Sequence, residues 1–236
     1  MTTMVWPIEV LEPEVIRWQF RGGVAQGPIT MSGIAQSGHF GGGGHWMLTM
    51  TRVLVNSPTQ YFAWRALDAG LDNGAAPIII SIPDYGGIVR ANGNPIVGVT
   101  YRDGVPHSDG SLFESDGIEV YTVNGAVLGA TSLRLDVFTG PEILAGMVFS
   151  ALDSNGYPRR YEIKTSLAVD GEIGQYDITF RPPLRSDLAA GTYCNFSNPG
   201  LVMKLADPES IAGDAFVGRF AEPSPVFIEY FVRTDD

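Results

Sequence analysis

Cysteine occurs once in this chain, at Cys194, which excludes an intrachain disulfide framework and a cysteine-rich zinc site. The ordinary place for such a thiol is a small apolar position inside a core. Charge is scarce as well: Asp, Glu, Lys and Arg make up 17% of the 236 residues, where soluble domains average roughly 25%. Basic residues are the scarcer kind, with 15 Lys and Arg against 26 Asp and Glu and a formal net charge of −11. No basic run appears, which disfavours phosphate-mediated contact with nucleic acid and attraction to an anionic membrane. No stretch approaches the roughly 18 consecutive apolar residues of a membrane-spanning helix. Met1 to Glu12 hold no basic segment followed by an apolar one, so no secretory leader is expected. The protein is expected to be made and used in a cytoplasm, or assembled there into a particle.

What the chain has in quantity is glycine, at 29 residues, and proline, at 16, within a composition that is 44% hydrophobic. Frequent turn formers among aromatic and β-branched residues predict many short strands, an all-β fold. A surface so poor in charge is tolerable when much of it is covered by partners, so an oligomeric state is expected.

Val15 to Arg21 alternates Ile16, Trp18 and Phe20 with Arg17, Gln19 and Arg21, the period-two pattern of a strand with one wet face. A glycine-rich loop is expected from Gly22 to Gly44, feeding a strand from His45 to Val55 that is apolar on both faces. One helix is predicted from Ser57: Ser57 suits the N-cap, Pro58 the first turn and Gln60 a capping box, with Asp72-Asn73-Gly74 as the stop. The run Pro77 to Pro83 reads as a buried strand under that helix. Residues 85–117 are dominated by Gly, Asn, Asp, Pro and Ser and read as a loop excursion with one weak strand at Ile96 to Tyr101. Seven strands follow between Ile118 and Leu205, with hairpin signals at Asn155-Gly156 and Asp170-Gly171, the pattern of a small barrel or sandwich. Two more are expected at Ala215 to Phe220 and Val226 to Val232, the last returning to the first sheet. The expected organisation is therefore an N-terminal β-sandwich with one helix from 1–84 plus 206–236, the 85–117 excursion, and an inserted barrel-like domain at 118–205.

Catalytic chemistry finds little support. His39 and His45 flank Gly41 to Gly44, but a metal site needs three or four converging ligands, and no Lys follows the glycines as a phosphate loop requires. His107 with Asp103 and Asp109 lies among turn formers. Asp153-Ser154-Asn155-Gly156 resembles the start of a calcium loop, yet Lys164 stands where the closing acid belongs, and a hairpin turn accounts for the segment. No nucleophile elbow is present, and three histidines give a Ser-His-Asp arrangement few ways to form. No catalytic residue, metal or cofactor is assigned, and the protein is expected not to be an enzyme. The aromatic residues Tyr61, Phe62, Trp64, Tyr85, Tyr101, Phe113 and Tyr121 either pack in cores and interfaces or line a recognition face. Of these, Tyr85, Tyr101, Phe113 and Tyr121 are the candidate glycan or partner contacts.

Two ordered stretches carry a family resemblance. The first runs through Trp18, Ser32-Gly33-Ile34-Ala35-Gln36, Gly44-His45-Trp46, Trp64-Arg65-Ala66-Leu67 and Pro77 to Asp84. The second runs through Gly129 to Leu135, Gly146, Tyr176 to Arg185 with its Pro-Pro-Leu-Arg element, Gly191 and Met203-Lys204-Leu205. In this order they resemble the distal tail proteins, tail-tip and baseplate components of long-tailed, siphovirus-like phages; Tyr85 to Gly117 lies outside the resemblance. The resemblance implies a virion protein at the tail tip that assembles with itself into a ring, usually a hexamer. Its further partners would be the tail tube protein, the tail-tip hub proteins and, through the inserted domain, host surface glycans. An acidic lumen would let DNA pass without adhering. The competing expectations are a carbohydrate-binding module for host attachment, another minor tail or tail-tube subunit, and a tail-associated hydrolase.

Overall fold

The structure, a computed structural model, describes residues 3–22, 24–29, 35–39, 43–82, 118–211 and 222–231, with the backbone alone for 24–29 and 35–39. Among the described residues the strands are β1 (Met4–Val5), β2 (Pro13–Arg21), β3 (Val24–Ile29), β4 (Ala35–His39), β5 (His45–Val53), β6 (Ile78–Ser81), β7 (Glu119–Thr122), β8 (Ser132–Thr139), β9 (Val148–Leu152), β10 (Pro158–Ala168), β11 (Gln175–Arg181), β12 (Tyr193–Asn195), β13 (Gly200–Leu205) and β14 (Val226–Glu229). One α-helix, α1 (Pro58–Leu71), interrupts them. The chain is mostly β, as its composition predicts. It divides into two compact units, residues 1–80 with 202–236, and residues 81–201.

In the first unit six strands form one mixed sheet in the order β1-β6-β13-β14-β5-β2. Its longest pairing joins β2 to β5 antiparallel, from Pro13 opposite Val53 to Arg21 opposite His45. That register puts Trp18 and Phe20 edge-on to Trp46, at 6.3 and 5.3 Å between ring centres. Gly44, at φ +71°, enters β5 where a Cβ would stand 2.6 Å from the Arg21 carbonyl and 2.7 Å from the Phe20 ring, so only glycine lets the two strands close here. Helix α1 starts as its sequence predicts: Gln60 N–H donates to Ser57 Oγ at 3.3 Å, and Ser57 N–H donates back to Gln60 Oε1 at 3.1 Å. It stops where Asp72, Asn73 and Gly74 all take positive φ. Trp64, Leu67 and Leu71 are its buried stripe. Trp6 joins helix to sheet, its ring edge-to-face with Trp64 at 6.2 Å and with Phe227 of β14 at 5.8 Å, and its indole N–H donating to the Leu11 carbonyl.

Several expectations change. The sandwich expected of this unit is, among the described residues, a single six-stranded sheet faced by the helix, with a separate two-stranded hairpin. Within the glycine loop expected across 22–44, the described residues 24–29 and 35–39 pair antiparallel, β3 on β4 with Val24 opposite His39; the glycine and serine content of these strands hides the alternation by which a strand is read. Strand β13, expected inside the inserted domain, lies in the six-stranded sheet between β6 and β14, with Leu205 opposite Phe227 and Met203 opposite Glu229. The last strand pairs with β5, Phe227 opposite Leu48. The strands expected at Ile96 to Tyr101 and Ala215 to Phe220 lie outside the described residues.

The second unit is a closed six-stranded barrel, β10-β11-β8-β7-β12-β9, antiparallel throughout. Closure leaves no open edge among these strands. Val120, Leu133, Leu135, Val137, Ile163, Ile178 and Cys194 point inward from successive strands. Phe149 sits amid three further rings, 5.4 Å from Tyr161, 5.9 Å from Phe180 and 5.3 Å from Phe196. The hairpin turns fall where Asn155-Gly156 and Asp170-Gly171 predict them, with Gly156 and Gly171 at φ +78° and +82°. The Pro-Pro-Leu-Arg element folds back on the start of its motif: Leu184 is buried, its N–H donates to the Ala130 carbonyl, and its carbonyl accepts from Gly129 N–H.

Candidate functional site

Strand β7 turns Val120 and Thr122 into the barrel and leaves Tyr121 outside. Tyr193 of β12 stands directly opposite it, while on β8 its paired residue is Asp136, two positions before Phe138. The three rings meet across three strands, Tyr121 lying 5.7 Å from Phe138 and 5.7 Å from Tyr193. Phe138 and Tyr193 remain 51% and 43% exposed, a large apolar area to leave on a barrel wall. Burial beside its neighbours, reinforced by Tyr121 and Glu119, pushes the Tyr193 phenol above its ordinary value, so its hydroxyl stays protonated at physiological pH. The rings are steeply inclined, Tyr121 at 86° to Phe138 and 58° to Tyr193. They therefore offer edges and a hydroxyl rim to a partner, and no single flat platform on which a sugar ring could stack.

Of the predicted contact residues, Tyr121 alone is placed; Tyr85, Tyr101 and Phe113 lie outside the described residues. His107, Asp103 and Asp109 do so too. Tyr61 and Phe62 are exposed on α1, with Arg65 over the Tyr61 ring at 5.8 Å, whereas Trp64 is core. Phe138 and Tyr193 were not picked out by sequence. Their outward parity is readable from the buried neighbours Val137 and Cys194, but the adjacency of β8, β7 and β12 is not. His39 stands opposite Val24 on the hairpin, and His45 opposite Arg21 on the sheet.

Asp153 behaves as a turn residue. One carboxylate oxygen accepts from the Asn155 and Tyr157 N–H groups, both at 2.9 Å, and the other accepts from Arg159 Nε at 2.8 Å. This ion pair is almost wholly buried, with side-chain exposures of 4% and 3%.

Cys194 is buried, and that burial pushes its thiol up to about 12 from an ordinary 9.0. A thiol-specific reagent at pH 8 is expected to leave the folded protein unlabelled and to label one thiol per chain in denaturant; rapid labelling of the folded chain would contradict this. The unfolded thiol ionises near 9.0 while the folded one stays protonated to about 12, so stability falls as pH rises through that window and is unaffected below it.

Compared with known proteins, the chain matches no family model and no curated protein sequence. Among the described residues, no helix is long and apolar enough to cross a membrane. The functional reading therefore rests on the chain's own residues and the organisation they build.

Proposed function

We propose that the chain is a structural subunit of a phage-type tail tip, of the distal tail kind, which closes with copies of itself into a ring of six joining the tail tube to the tip hub. The observation that carries this reading is an insertion. A closed barrel, within residues 81–201, interrupts a sheet whose strands come from both ends of the chain. A unit complete in itself can be hosted between β6 and β13 without breaking that sheet, because its core is its own.

Three further features support it. The outermost strands of the sheet, β1 and the nine-residue β2, each pair on one side only among the described strands, and such edges are stable in solution when a neighbouring copy covers them. Exposed apolar residues lie on both of these strands, at Val5 and Val15, in a chain of low charge. The ordered motifs also converge in space, Trp18 on Trp46 in the sheet and Leu184 on Gly129-Ala130 in the barrel. In this reading the sheet unit makes the ring contacts, and the barrel, with its Tyr121 face, carries contacts particular to a host or a neighbouring tail protein.

Negative-stain electron microscopy of the full chain tests the proposal. Closed rings with six-fold averages are expected; isolated monomers at high protein concentration, or open filaments, would overturn it.

A further inference from the structure

Strands β7, β8 and β12 carry charge as well as rings on their outer wall. Val120, Leu135, Val137 and Cys194 are buried, so the alternate positions Glu119, Arg134 and Asp136 share the outward side with Tyr121, Phe138 and Tyr193. Glu119 is exposed two residues before Tyr121, and its charge reaches the Tyr193 phenol. Asp136 stands directly opposite Tyr121. Arg134 is the one cation among the described outward positions of these strands. Asp177 of β11 holds it, accepting from Arg134 Nε and Nη2 at 2.7 and 2.8 Å. The three rings are therefore bordered by uncompensated negative charge, in a chain whose net charge is −11.

From this arrangement we infer that the face docks an arginine-bearing segment of another protein, with alkyl stems packed on the three rings and a guanidinium meeting Glu119. Charge decides first. A phosphate-bearing nucleic acid or an anionic membrane would be repelled by Glu119 and Asp136. Main-chain pairing is closed off, because β7, β8 and β12 each have a neighbour on both sides in the barrel. Recognition then runs through side chains. The steeply inclined rings present edges and phenol oxygens, which suit a long alkyl stem with a hydrogen-bonding head. Arginine serves those oxygens and the Glu119 carboxylate better than lysine does, since its five N–H donors lie in one plane. Its weaker hydration also lets it approach the apolar Phe138 ring with less loss of solvation. This partner chemistry rests on the contact role proposed above for the Tyr121 face. Peptide binding is read on the chain whether or not rings form, so the two can fail separately.

Calorimetric titration of the full-length chain with an acetylated, amidated hexa-arginine peptide tests this, in about 0.15 M salt to screen long-range attraction. Saturable binding is expected, with hexa-lysine binding more weakly. Glu119→Gln, which keeps the side chain's shape, is expected to weaken the hexa-arginine affinity by about tenfold. Phe138→Ala is expected to weaken it by about fivefold. Glu9→Gln, the same loss of charge at an exposed position of the sheet unit, leaves it unchanged. No binding, equal losses from Glu9→Gln and Glu119→Gln, or indifference to Phe138→Ala would overturn the inference. Hexa-lysine binding as tightly as hexa-arginine would overturn it too. So would oligomers that dissociate on Phe138→Ala in sedimentation, because the face would then belong to a second copy of the chain.

Discussion

Replacing Phe149 with alanine is expected to cost the barrel about 3–5 kcal/mol, the range for deleting a fully buried phenylalanine that leaves a cavity. The size of the effect follows from where the ring sits. Phe149 is fully buried, stacks on Phe196 at an interplanar angle of 23°, and meets Phe180 edge-on at 81° with Tyr161 tilted at 34°. These partners come from β10, from β11 and from the residue after β12, so the cavity would open between strands that the barrel closure holds in place and that cannot collapse into it. Urea unfolding followed by hydrogen exchange checks the prediction. Protection should fall in the strands β7 to β12 while β5 and α1 keep theirs. A loss below about 1 kcal/mol would mean that the four rings do not form one packed cluster.

Removing the Asp153 carboxylate is the second large change expected. Asp153→Ala takes away at once the anion that neutralises Arg159 and the acceptor of two turn N–H groups. Breaking a buried ion pair from one side costs about 3–5 kcal/mol, since the remaining charge stays in a poorly solvating interior. The double variant Asp153→Ala with Arg159→Met is expected to recover part of that loss, because it removes the uncompensated guanidinium while the two turn N–H groups still lack their acceptor. The same unfolding experiment, run as a double-mutant cycle, separates the two contributions. If the single and double variants are equally destabilised, the carboxylate acts through the turn and not through Arg159.

Where neighbouring residues decide the structure, it was legible in the sequence. Ser57, Pro58 and Gln60 carry the start of α1 in their side chains, and Asp72-Asn73-Gly74 its end. The alternation of Tyr176, Ile178 and Phe180 with Asp177 and Thr179 sets which face of β11 meets the core. Where distant pairing decides, it was not. Gly200 to Leu205 is buried along almost all its length, and such a strand fits any sheet interior equally well, so its place beside β14 was invisible. The paired strands β3 and β4 have little side-chain alternation to read. At the candidate face, the outward parity of Tyr121 was legible, but its meeting with Phe138 and Tyr193 depends on the order β8-β7-β12. The Arg134–Asp177 pair was hidden for the same reason: it joins residues opposite each other on β8 and β11, 43 positions apart in the chain.

The proposed role of the sheet unit in assembly rests on self-association, since open edges and low charge are otherwise liabilities. Native mass spectrometry of the full chain over a wide range of concentrations addresses this most directly. The account predicts one closed stoichiometry, a hexamer, persisting as the protein is diluted, with no ladder of higher species. A monomer at every concentration, or an open-ended series of oligomers, would contradict it.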